Sequence, residues 1–65
     1  MKIFVNAQPC EIAAATLAAA LDELGFASSA TATAHNGRFV AYEDREETPL
    51  AEGDRLEVLA PMQGG

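Results

Sequence analysis

Sixty-five residues allow one domain, and a domain this short buries only about 60% of the surface its unfolded chain exposes, leaving no room for a separate catalytic lobe. Ten acidic against four basic residues give a net charge of −6, which repels nucleic-acid backbones and anionic lipid surfaces; it suits either a partner with a basic docking surface or plain solubility. The hydrophobic fraction of 49% is that of a globular protein, and no apolar run approaches the length of a membrane span.

The opening MKIFVNAQPC lacks the long apolar core and cleavage site of a signal peptide, and a lone cysteine, Cys10, fits a reducing, cytoplasmic setting. KIFVN is a β-rich run bounded by the turn-prone NAQP, and CEIA completes a candidate hairpin. ATLAAALDELGF predicts the clearest helix: Leu17, Leu21 and Leu24 recur at i, i+4 and i+7, Thr16 is placed to cap its start, and Gly25 to end it. Its alanines favour helix and let it lie close to a sheet.

SSATATAHNGRFVAYE holds two strand-like runs joined by Asn36-Gly37, the dipeptide that best tolerates the positive φ angles of a type I′ turn. DREETPLAEGD is polar and irregular, with Thr48-Pro49 and Gly53-Asp54 as breakers, and RLEVLA alternates until Pro61 stops it. The predicted order is ββαββ, an irregular connection and a final β: one α+β domain over residues 1–60, followed by a flexible tail, 61–65.

The period of two assigns faces. Ile3 and Val5 of the first strand and Leu56 and Val58 of the last should meet the helix leucines, while Phe4 and Leu59 point the other way. With Phe39 they form an apolar patch that no other part of the chain covers, either a partner-docking face or the scatter of exposed apolar residues common to any surface.

No conventional active site assembles. His35 sits beside a predicted turn, where a polar surface role is expected. Cys10 lacks an activating base, and Glu11 beside it opposes thiolate formation, so it reads as filler. One Cys and one His do not make a zinc site, and the carboxylates of EDREE read as a solvated charge run, so no metal is expected. Arg38, Arg45 and Arg55 read as surface ion-pair partners. No glycine-rich loop opens a helix to cradle a phosphate.

What remains is the end of the chain, PMQGG. Glycine has no Cβ, so Gly64-Gly65 fits a channel too narrow for other residues and adopts whatever backbone angles a partner's site demands. Gly65 ends in an unhindered carboxylate, which adenylation turns into an acyl electrophile open to sulfur or nitrogen nucleophiles. Met62 and Gln63 form a short arm leading to it.

Taken together, the ββαββ…β order and the diglycine end resemble the β-grasp, ubiquitin-like fold, a mixed sheet of about five strands packed on one helix. KIFVN, TLAAALDELGF, ATAHNGRFVA and PLAEGDRLEVLAPMQGG resemble, segment by segment, the ThiS family, the sulfur carriers of thiamine biosynthesis. The resemblance covers essentially the whole chain. Gly53-Asp54 before the last strand and the terminal Gly64-Gly65 are its most specific motifs. Where that family often has Pro-Arg after the fourth strand, this chain has Ala41-Tyr42, and EDREE is more acidic than expected, which leaves partner contacts in that loop open.

The resemblance implies a carrier rather than an enzyme, with no catalytic residue and no bound cofactor. An adenylyltransferase of the ubiquitin-activating type would use ATP and Mg²⁺ to adenylate Gly65. A sulfur donor fed by a cysteine desulfurase would convert the adenylate into a thiocarboxylate, and thiazole synthase would take the sulfur. Gly64, Met62 and Gln63 would thread the partner's active site, and Phe4, Leu59 and Phe39 would dock on it. Three alternatives stay open: the small subunit of molybdopterin synthase, a ubiquitin-like modifier, and a non-covalent binding module that happens to end in glycine.

Overall fold

The computed structural model describes residues 1–59; Ala60 and the expected tail, 61–65, lie outside the described residues. The chain order is β1 (Lys2–Val5), β2 (Gln8–Glu11), α1 (Leu17–Leu24), β3 (Ala32–His35), β4 (Arg38–Val40), a 3₁₀ helix (Tyr42–Glu47) and β5 (Arg55–Leu59). The strands make one mixed sheet in the order β2-β1-β5-β3-β4, with β5 parallel to β1 and antiparallel to β3. This is the β-grasp arrangement, in which the last strand of the chain becomes the centre of the sheet.

Local chemistry sets the element ends. Thr16 Oγ1 accepts from the Ala19 amide at 3.2 Å, satisfying one of the donors orphaned at a helix start. Gly25, at φ 87°, takes the left-handed conformation that closes α1, and its amide returns to Asp22. The second hairpin turns at Asn36 (φ 52°) and Gly37 (φ 87°), as its dipeptide predicts.

The first hairpin departs from expectation. Its turn is only Asn6 (φ 50°) and Ala7 (φ 70°), and the strand resumes at once, with Pro9 paired opposite Phe4. Pro9 is tolerated because β2 is an edge strand, where a missing amide donor need not break a ladder.

The core lies between α1 and one sheet face. Ile3, Leu17, Ala20 and Leu21 are fully buried, and Leu56, Val58, Ile12 and Leu50 complete the cluster. Val5 and Leu24, expected where the sheet meets the helix, do pack against the cluster but are only half-buried. Leu50 arrives from the connection: the Leu17 amide donates to Thr48 O and the Leu50 amide to Ala15 O, stitching that segment to the start of α1.

The 3₁₀ helix corrects two expectations at once. EDREE is not irregular, although its carboxylates are exposed as expected: the Asp44 amide donates to Ala41 O at 2.9 Å, and Thr48 Oγ1 donates to Asp44 O at 2.8 Å. Arg45, expected on the surface as an ion-pair partner, is 3% exposed. Its Nη1 donates to Ser28 O at 3.2 Å, its Nη2 donates to Thr31 O, and its guanidinium lies 5.0 Å from the centroid of the Tyr42 ring. The side chain thus ties the loop after α1 to the 3₁₀ helix: carbonyl oxygens and a ring face replace part of the water the guanidinium gives up, while its buried Nε has no hydrogen-bond partner among the described residues.

Candidate functional site

The face of the sheet opposite α1 is built from the residues that alternate with the core. Register places Phe4 beside Arg55, Glu57 beside Ala34, and Ala34 beside Phe39, with Leu59 beside Ala32. Phe39 is 72% exposed and Leu59 73%, whereas Phe4 is half-buried, with the Lys2 ammonium 5.9 Å from its ring centroid. Phe4 and Phe39 stand on strands three places apart, roughly 14 Å at the usual strand spacing, with Arg55 and Glu57 between them. The face is therefore a set of apolar studs around a charged centre rather than one continuous patch. A depression beside Phe4 is bounded by Ala7, Gly37, Arg55 and Glu57.

Leu59, on this open face, ends the described part of β5, the central strand of the sheet. That strand is pinned from both sides by asparagines in left-handed turns. The Asn36 amide donates to Arg55 O and its Oδ1 accepts from the Arg55 amide, both at 2.8 Å. On the other flank the Asn6 amide donates to Leu56 O at 2.8 Å, its Oδ1 accepts from the Val58 amide at 2.9 Å, and its Nδ2 donates to Val58 O at 3.1 Å. In both turns the side-chain amide extends the ladder where the backbone turns away, a use open to Asn because it tolerates positive φ and carries both donor and acceptor.

Asp54 anchors the entry to β5. Its Oδ2 lies 2.7 Å from His35 Nε2 and accepts from the Ala51 amide at 2.8 Å, and its Oδ1 accepts from Asn36 Nδ2 at 3.2 Å. The His35 and Asp54 side chains are 21% and 14% exposed. The hydrogen bond from His35 chiefly holds the Asp54 carboxyl below its ordinary pKa, with the Ala51 and Asn36 bonds assisting and burial opposing them. Gly53, at φ 86°, makes the bend that aims the carboxylate back at the hairpin.

His35, expected as a surface group, is thus a half-buried partner of Asp54. Cys10 is half-buried against the core margin. Arg38 and Arg55, expected in surface ion pairs, are in none among the described residues. No group of three His, Cys, Asp or Glu side chains is placed to hold a metal among those residues. Met62, Gln63, Gly64 and Gly65 lie outside them. Asn6 and the function of Asp54 escaped the sequence reading; the available signals were an Asn directly after a β run and the Gly-Asp pair before the last strand.

The ThiS family model matches residues 3–65, so Gly64-Gly65 falls within the matched span. The chain is similar to the crystal structure of a thiamine biosynthesis protein (ThiS) from Geobacter metallireducens, with TM-score 0.81 and 28% identity over 100% of both chains. A solution NMR structure of a thiamine biosynthesis protein from the same organism superposes with TM-score 0.82 and 28% identity, covering 100% of this chain and 88% of that one. No curated protein matches.

Proposed function

The chain belongs to the ThiS family of sulfur carriers, and from that premise we propose that the carboxylate of Gly65 is its working group. The observation that carries this reading is the family match running through Gly64-Gly65 to residue 65. In the proposed cycle a Gly65 carboxylate oxygen attacks the α-phosphorus of ATP on a ubiquitin-activating-type adenylyltransferase that uses Mg²⁺, and pyrophosphate leaves. The terminal sulfur of a donor persulfide, charged by a cysteine desulfurase, then attacks the acyl carbon and AMP departs, leaving an acyl disulfide. A thiol reductant cleaves its S–S bond, itself ending in a disulfide, and the freed thiocarboxylate supplies thiazole synthase in the cytoplasm. The chain contributes the acyl group and its recognition; its partners contribute catalysis, and none of its own side chains is catalytic.

The fold supports this division of labour. Phe4, Phe39 and Leu59 stand on one face of the sheet, and Leu59 is the last described residue of the strand that precedes the diglycine in sequence, so that face is where an enzyme would dock. Met62, Gln63 and Gly64 then thread the enzyme's channel, where glycine's lack of Cβ matters most.

Intact-mass measurement after incubation with the activating enzyme, ATP and the sulfur donor should show replacement of one oxygen by sulfur at Gly65. A terminus that stays unmodified while a positive-control carrier is converted overturns the reading. Deleting Gly65 should abolish adenylation and leave the circular dichroism spectrum unchanged.

A further inference from the structure

Burial alone leaves the register of β5 under-determined in one direction. Sliding the strand forward by two residues would put the Asp54 carboxylate in the buried place of Leu56, which desolvation forbids. Sliding it back by two puts Val58 in the place of Leu56 and Ala60 in the place of Val58, apolar for apolar, at the loss of a few buried methyl groups, with Pro61 reaching only the last place of the strand, that of Leu59. The polar contacts oppose this backward slip. It would detach Asp54 from His35 and Asn36, Arg55 from Asn36, and Val58 from Asn6.

We propose that Asp54, with His35, Asn36 and Asn6, is a positioning device for the reaction at Gly65: these residues fix the register of β5 and thereby the length of the arm beyond the sheet. The inference rests on the functional reading above. Six residues, 60–65, reach at most about 20 Å, and a two-residue slip withdraws the carboxylate by roughly 7 Å. A misplacement of about 1 Å is enough to slow an enzyme on the order of 100-fold. The Gly-Asp pair before the last strand thus sets a distance: Gly53 supplies the bend, and Asp54 the anchor that the hydrophobic pattern leaves out.

The test compares the full chain, Asp54→Ala, a two-residue Gly-Ser insertion after Ala60, and the two changes combined, by pyrophosphate release on the activating enzyme. Asp54→Ala should lower kcat by about tenfold or more at saturating carrier, since a retracted arm binds but reaches poorly. The insertion alone should also lower it, and the combined variant should recover much of the loss, a compensation that a merely structural role would not produce. Amide exchange should report the cause directly, with protection lost at Leu56 and Val58 of Asp54→Ala and kept at Leu17 and Leu21. If Asp54→Ala does not fold, Asn36→Gly, which keeps the positive φ and the backbone bond to Arg55 O but removes the side-chain bonds to the Arg55 amide and Asp54, serves the same comparison. Unchanged kcat, or a loss that the insertion deepens rather than relieves, overturns the inference. A wild-type chain that is never adenylated overturns the functional reading instead.

Discussion

The two faces of the sheet are cut from the same strands by the same alternation, yet they meet opposite surroundings. On the covered face Ile3, Leu56 and Val58 are at most 5% exposed against Leu17 and Leu21, while on the open face Phe39 and Leu59 are more than 70% exposed around Arg55 and Glu57. The difference separates burial from exposure: one residue of each alternating pair holds the domain together, and its neighbour stays in water, where the proposed reading has a partner cover it. The largest effect on folding should therefore come from the covered face. Leu21→Ala should cost about 3 kcal/mol in urea unfolding, near the middle of the range for a buried leucine, and a loss below about 1 kcal/mol would show that the face is loosely packed.

How far this division was legible from sequence depended on the range of the interactions involved. Thr16, Gly25 and Asn36-Gly37 were readable because a cap or a turn is decided within four residues. Ile3, Leu56 and Val58 were readable because a period of two needs no knowledge of partners. Pro9 was read as turn because edge position is a property of strand order, which alternation does not encode. Arg45 was read as solvated because its acceptors, Ser28 and Thr31, lie 17 and 14 residues away. The same limit hid the site's supports: Gly65 stood out as a motif, but His35 and Asp54 are 19 residues apart, and Asn6 and Val58 are 52.

An intermediate effect should arise where the covered face meets water. His35 shares the register row of Leu56 yet turns its ring to Asp54, so a polar clasp closes one end of the core. Because the folded-state pKa of Asp54 is depressed, its contribution is complete above the unfolded value, near 3.8, and is lost as pH falls through the lower folded value. Wild type and Asp54→Asn, unfolded in urea from pH 2 to pH 6, should differ most above pH 4 and converge toward the acid end. A difference that stayed constant through the acid limb would mean that the carboxylate charge contributes nothing to the clasp.

The smallest effect on stability, and the sharpest test of the separation, belongs to the open face. Phe39→Ser and Leu59→Ser remove large side chains that are already in water, so each should change the unfolding free energy by no more than about 0.5 kcal/mol. The same two substitutions should raise the KM of the activating enzyme for the carrier, because exposed aromatic and aliphatic residues gain burial only when a partner covers them. Phe4→Ser should behave differently, since Phe4 is half-buried under the Lys2 ammonium and beside Arg55, and should register in both measurements. If Phe39→Ser and Leu59→Ser destabilised the chain while leaving KM unchanged, the open face would be part of the folding unit and the docking surface would lie elsewhere on the domain.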